Sequence, residues 1–469
     1  MKHDLTHFFV VLGLAALTAV VAVFLPTAAI AILLVGLLVW VISHHLALGL
    51  YGLLFLYPFL GWQLNFGTLD ATRGIPLLGN INAPLADFWA LLLGAALITH
   101  VVRAYLNNKT VSLKVPGILL FGLFVGSALL SLFNARVGEV GDGLQYLIRN
   151  IIFIYAAYMV LPSSILSTKK QIMKGITALH VAGFVAVLWG VVSLFVVEPF
   201  WGVWRRVTPF AIGGWAPLGT FHNDLAEVLV ILIPLAIYWY FEQRSDRARK
   251  LTFLYASVLI VVTLLTFSRT AWIVLLVQLG VFLAVGASRQ WRAIARSAAP
   301  FVLVLLIPIA VYMVVFSSSS YVASSTSARM DLTRIATLAF AEHPIIGNGL
   351  GSYIRLVSEA TAFRIEYGPP FDAHGVIQKI SAEQGVVGLI TALALVGWML
   401  WMIYEAYRTG DKRHKALLLT LLIVAVSAAV YQVFNTQYYT AKMWMPMGFA
   451  FAASQVFKSK NKIANSKNT

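Results

Sequence analysis

The stretch FDAHGVIQKISAEQGVVGL, residues 371–389, sets a histidine, a lysine, a glutamate and spaced glycines directly before a long apolar run. Histidine is the side chain whose ordinary pKa suits it to take a proton near neutral pH. His374 is therefore a candidate general base. On a helix continuing from 374, positions 378, 381 and 385 share its face and give a narrow polar stripe of His374, Gln378, Ser381 and Gly385 where an acceptor can approach. Glu383 falls about half a turn out of phase and is a poor partner for the histidine unless the helix breaks. The blander reading of His374 is a satisfied interfacial histidine.

Three arginines add charge to this picture. Arg269, in TFSRTAW, stands where two apolar runs abut. An arginine facing lipid there costs a few kcal/mol or more, so it normally faces a cavity or a partner. The alternative is a tight, solvated turn. Arg205 and Arg206 lie in the tryptophan-rich segment 198–224. An inward-turned arginine offers a planar fork to phosphate oxygens, whereas an exposed pair binds headgroups or nothing specific. Spacing does not choose between the two. Asp87 and Glu227, at or inside the starts of apolar runs, are either ion sites or caps of helix entrances. The histidines lack metal spacing and there is no cysteine, so neither a metal site nor a cofactor is expected. GNGLGSY lacks the preceding strand and the Lys-Ser/Thr of a phosphate loop.

These residues must be held by apolar elements. The chain has 469 residues, of which 60% are hydrophobic and 11% charged, against roughly 25% charged in soluble domains. Fourteen apolar runs, from about 8–24 to about 441–457, mostly approach the ~20 residues that cross a bilayer. The fold class expected is an all-α polytopic membrane protein of about 12–14 transmembrane helices, with the runs at 27–43 and 46–62 as separate spans. The first run is read as a retained helix rather than a signal peptide. The formal charge of +16 is unevenly placed: with the N-terminus inside, 22 of the 34 Lys and Arg but 5 of the 18 carboxylates fall on cytoplasmic segments. That is the positive-inside pattern; the basic balance sets topology and does not indicate nucleic acid.

The expected organisation is a bundle of about eleven spans over 1–316, a long periplasmic loop over 317–383, C-terminal spans over 384–457 and a basic cytoplasmic tail over 458–469. The loop opens with a serine-rich stretch read as a flexible linker. It continues with RMDLTRIATLAF, residues 329–340, whose Leu332, Ile335 and Leu338 suit an amphipathic helix. Loops this long are usually functional or disordered; its helix and turn signals point to the former.

Several stretches, in order, resemble the O-antigen ligase/polymerase family of bacterial envelope glycosyltransferases: GTFHN at 219–223, FSRTAW at 267–272, ARMDLTRIATLAFAEHPIIGNGLGSY at 328–353 and AHGVIQKISAEQGVVGL at 373–389. The resemblance covers roughly residues 200–400. It implies a multi-spanning, metal-independent, inverting enzyme of the bacterial inner membrane, with cytoplasmic termini and a periplasmic site. It also implies undecaprenyl-diphosphate-linked glycan as donor, and lipid A–core (ligase) or a second lipid-linked glycan (polymerase) as acceptor. His374 matches the family's catalytic histidine and Arg269 the arginine of its S-R motif. Arg205 or Arg206 matches an arginine upstream of GTF that lies near the diphosphate. A transporter with Arg269, Glu227 and Asp87 lining a path is the rival reading, although neither internal repeats nor paired broken helices are visible.

Overall fold

A computed structural model describes residues 26–65, 82–111, 113–199, 205–285, 311 and 320–466. The chain runs through α1 (Pro26–His44), α2 (Leu46–Leu56), β1 (Gln63–Asn65), β2 (Asn82–Pro84), α3 (Leu85–Leu106) and α4 (Ile118–Ser131). Next comes α5 (Val137–Ile165), whose middle is wound as π-helix over Leu147–Phe153 and Ala156–Val160. It continues with α6 (Lys169–Val196), α7 (His222–Glu242), α8 (Asp246–Leu265), α9 (Arg269–Val285) and α10 (Ser320–Glu342). Two short helices, α11 (Tyr353–Glu359) and α12 (Thr361–Tyr367), precede α13 (Val376–Thr409), α14 (Lys415–Val433) and α15 (Ala441–Ser466). The strands β1 and β2 form a small antiparallel hairpin with Leu64 opposite Ala83.

Among the described residues, seven helices are long and apolar enough to cross a membrane, or eight if a bent pair counts as one span. The chain is thus an all-α, multi-pass membrane protein. The runs expected at 8–24 and 298–316 lie outside the described residues, apart from residue 311. The two spans expected at 27–43 and 46–62 are not separate crossings: the chain bends by 111° between Leu33–His44 and Leu46–Leu56. His45, with φ −133° and ψ 52°, leaves the helical region. With 11 residues, α2 reaches only about 16 Å, too little for a core of about 30 Å.

Burial separates central from peripheral helices. Every residue from Leu225 to Ala236 on α7 is buried, and α14 is buried from Leu417 to Ala425. A helix apolar all round belongs at the centre. By contrast α3 exposes Leu91, Ile98 and Val102, and α8 exposes Leu251, Leu254 and Val261. Each set recurs every three to seven residues along one face, an exposed apolar face of the kind that lipid covers.

The segment between α9 and α13 makes its own small core. Leu332, Ala336 and Ala339 of α10 pack with Tyr353, Val357, Phe363, Ala373 and Ala382, and Ile335 packs against them. Leu338, expected on the same face, is exposed. The serine-rich stretch expected as a flexible linker is helical from Ser320 onward.

The HPIIGNG loop then wedges into α13. At Gly385 the helix breaks, with φ 65° and ψ −162°, a conformation confined to glycine. A side chain there would strike the Ile345 carbonyl. The freed backbone groups bond to the loop: Val386 N–H to Pro344 O at 2.8 Å, Asn348 N–H to Ala382 O at 3.0 Å and Gly349 N–H to Glu383 O at 3.0 Å. The buried Asn348 amide also donates to Ala339 O at 2.7 Å. Irregular backbone inside a membrane protein needs such internal partners.

Gly347 is pinned at φ +74°, and a Cβ on it would stand 2.3 Å from the Glu383 carbonyl carbon. Gly347→Ala is therefore expected to cost about 2 kcal/mol or more, seen as a lower thermal midpoint in nanodiscs. Gly397→Ala, on α13 with no described residue within 4 Å of the added Cβ, is the control and leaves the midpoint unchanged or slightly raised.

Candidate functional site

The site lies where α7, α9 and α13 begin and α10 crosses beside them. The α8–α9 turn is tight because Phe267 adopts φ +52°. Buried Ser268 accepts the Ala271 N–H at 3.4 Å, and its hydroxyl lies 3.5 Å from that of Tyr431. Tyr431 in turn donates to Asn223 O at 2.8 Å. This ties the start of α9 to the start of α7, and Arg269 becomes the first residue of α9.

Arg206, Arg269 and Arg329 all fall within electrostatic range of His222, the first residue of α7. Arg329 comes from α10. Its half-buried guanidinium is held below its ordinary pKa by burial first and by Arg269 second. Its Nε is buried without a hydrogen-bond partner among the described residues. No ion pair joins Arg269 or Arg329 to a carboxylate among the described residues. Two cations facing each other this way lose free energy unless an anion lies between them.

His374 stands at a bend just before α13, and anchors on both sides fix it. Gly375 N–H donates to Thr436 Oγ1 at 2.9 Å, and the Thr436 hydroxyl donates to the Ala373 carbonyl. On the N-terminal side, Asp372 accepts from Lys379 Nζ at 2.7 Å and from the Tyr439 hydroxyl at 2.8 Å. The imidazole meets Phe371 edge-on, with centroids 5.9 Å apart. Neither ring nitrogen has a hydrogen-bond partner among the described residues. Burial first, then Arg329, push the His374 pKa down to about 4, against the opposing pull of Asp372. The ring is neutral at physiological pH and able to accept a proton.

The polar stripe expected along a helix from 374 does not form. The helix starts at Val376 and breaks at Gly385, so His374 precedes it and Gly385 is its kink. Gln378 is half-buried against Gly375, and its Oε1 has no partner among the described residues. The Ser381 hydroxyl donates to the carbonyl of Ile377, one turn back. Glu383 lies 3.8 Å from Lys379 and accepts the Tyr353 N–H at 3.2 Å. Its carboxylate thus joins the loop to α13.

The two neighbouring arginines part. Arg205 is exposed and donates to the Leu194 and Val197 carbonyls at 2.8 and 2.9 Å, closing the end of α6. Arg206 is half-buried beside His222. Asp87 accepts from Tyr158 at 2.6 Å. Glu227, fully buried, accepts from Gln432 at 2.6 Å and Asn435 at 3.3 Å, with Lys442 at 3.9 Å. Among the described residues no three His, Asp or Glu side chains converge as metal ligands would.

Sequence reasoning passed over Arg329 and His222 as site residues. Arg329 read as the charged side of an amphipathic helix, and only the packing of α10 shows that this charge is half-buried. His222 sat within a noted motif, but nothing in its spacing tied it to residues more than a hundred positions away.

Two comparisons bear on this geometry. The sequence model of the O-antigen ligase family matches residues 254–393. Separately, the chain is 25% identical over 290 residues to a probable peptidoglycan glycosyltransferase FtsW of Alkalilimnicola ehrlichii. That alignment covers 60% of this chain and 66% of the relative, just under two thirds of its length. The resemblance to the O-antigen ligase family read from the sequence is thus borne out over residues 254–393, the segment that carries Arg269, Arg329 and His374.

Proposed function

We propose that this chain transfers a glycan from undecaprenyl diphosphate to an acceptor hydroxyl on the periplasmic side of the inner membrane, foremost onto lipid A–core. The observation that carries the reading is the pair Arg269 and Arg329, two guanidiniums that pair with no carboxylate among the described residues, with Arg329 acting on a neutral His374. The acceptor oxygen attacks the anomeric carbon, forming the new glycosidic bond. The bond from that carbon to the diphosphate oxygen breaks, and its electron pair stays with the diphosphate. His374 takes the acceptor's proton. Attack opposite the leaving group inverts the anomeric centre.

Negative charge grows on the diphosphate as the bond breaks, and fixed positive charge in a water-poor cleft stabilises that change most. Arg269, Arg329 and Arg206 supply it. The N-termini of α7 and α9 add partial positive charge in the same place. Arg205, spent on the end of α6, is assigned no part in this step.

A second reading, a polymerase that adds the glycan to another lipid-linked repeat, is favoured by the likeness to a peptidoglycan glycosyltransferase. Neither match is a transporter. Purified protein in nanodiscs, given its host's lipid-linked glycan with and without lipid A–core, separates the readings. One block moved onto lipid A–core is the expected product. A ladder formed without that acceptor makes the chain a polymerase. The absence of both products, with folded protein and competent substrate, overturns the transferase reading.

A further inference from the structure

A cavity of about 460 Å³ opens beside the start of α7, whose first residue is His222. Its walls come from the starts of α3 and α7, the middle of α5, the β-hairpin and the chain leading into α15. Small-molecule sites span about 300–1,000 Å³, so its size admits one or two sugar rings. Asp87, Arg149, Asn150, Asp224, Gln437 and Lys442 line it.

The charges in this wall cancel, unlike those of Arg269 and Arg329, which pair with no carboxylate among the described residues. Lys442 Nζ is 2.6 Å from Asp224, which also accepts from Gln437 at 3.0 Å. Arg149 donates to the Asn82 carbonyl at 2.6 Å and acts on the Asp87 carboxyl through space. An anion therefore gains little here. The acceptors outnumber the committed donors: each carboxylate has about four acceptor positions, and Gln437 Oε1 is buried without a partner among the described residues. A surface of that kind is matched by hydroxyl groups, which donate.

The cavity adjoins both halves of the proposed chemistry. Tyr439 lines it and donates to Asp372, two residues before His374. Asp224 lines it and is two residues from His222. We propose that this cavity is a glycan subsite that binds uncharged, hydroxyl-rich sugar units next to the one that reacts. The inference rests on the transferase reading above. The sugars come either from the donor glycan beyond its reacting unit or from the acceptor.

Asn150→Ala and Asp87→Asn test it, neither residue having a part in the diphosphate or base chemistry. Asp87→Asn keeps the shape and the Tyr158 contact; if it fails to give monodisperse protein, Asn150→Ala carries the test. The full chain in nanodiscs is titrated with two soluble probes, the delipidated repeat oligosaccharide and the delipidated core oligosaccharide, and transfer kinetics are measured against each intact substrate. The expected result is weaker binding of one probe and a KM for the matching substrate raised about tenfold, with kcat within about twofold and inorganic diphosphate binding unchanged. The substrate whose KM moves identifies the source of the sugars. Wild-type transfer with both KM values unchanged in the variants overturns the subsite and leaves the transferase reading standing. Loss of probe binding in the variants, with no transfer by the wild type, keeps the subsite and overturns the transferase reading instead.

Discussion

Arg269→Ala is expected to lower kcat for glycan transfer by about 10²–10³, the usual cost of removing one fixed charge that meets developing negative charge. The folded protein should be no less stable, and its thermal midpoint unchanged or raised. Arg329 is held below its ordinary pKa partly by Arg269, so the substitution relieves one cation of another. A site kept at the expense of stability commonly behaves this way. Arg269→Lys should restore only part of the rate, because an ammonium is a point charge without the fork that grips two phosphate oxygens. Transfer kinetics with a thermal melt on the same preparation decide the matter. A fall in stability matching the fall in rate makes Arg269 a structural residue, and full activity of the alanine variant removes it from the mechanism.

His374→Ala should cost about 10²–10⁴ in kcat, the range for a positioned general base. The pH profile makes a sharper demand. The active form of a base is neutral, and the His374 pKa is lowered to about 4. The acid limb of kcat/KM for the free enzyme should therefore fall near pH 4 and not near the ordinary histidine value of about 6.5. Arg329 is the second cause of that lowering, after burial, so Arg329→Gln should move the limb upward, part of the way toward 6.5. The stability of the fold should follow the same group. The unfolded chain binds a proton as pH drops through about 6.5 while the folded chain does not until about 4, so His374 makes the fold less stable across that window. A limb near 6.5 that ignores Arg329→Gln would assign the titration to another group.

Much of the fold was legible in one sequence. Apolar runs of about twenty residues and the uneven placement of Lys and Arg specify a multi-pass helical protein, because a bilayer excludes unpaired backbone and charge from any chain crossing it. The breaks were not legible. The bend at His45 and the interrupted α13 at Gly385 depend on whether other segments satisfy the freed backbone groups. The partner of Gly385, the loop at Pro344–Gly349, lies some forty residues away.

The candidate residues show the same division. Arg269 could be singled out because an arginine between two apolar runs is costly wherever it faces lipid, and His374 because few side chains near an apolar run titrate near neutrality. Arg205 and Arg206 are identical as residues and adjacent in sequence; only the packing around α6 sends one to the helix end and leaves the other beside His222. Gln378 and Ser381 were placed with His374 by helical periodicity, which fails because the helix begins after the histidine. The sequence by itself determined the solvent this chain folds in and which residue types carry chemistry, since transfer costs belong to each residue alone. Tertiary structure alone decided which charges stand together, since Coulomb energy depends on distances that residues 206, 269, 329 and 374 acquire only when four separate segments pack.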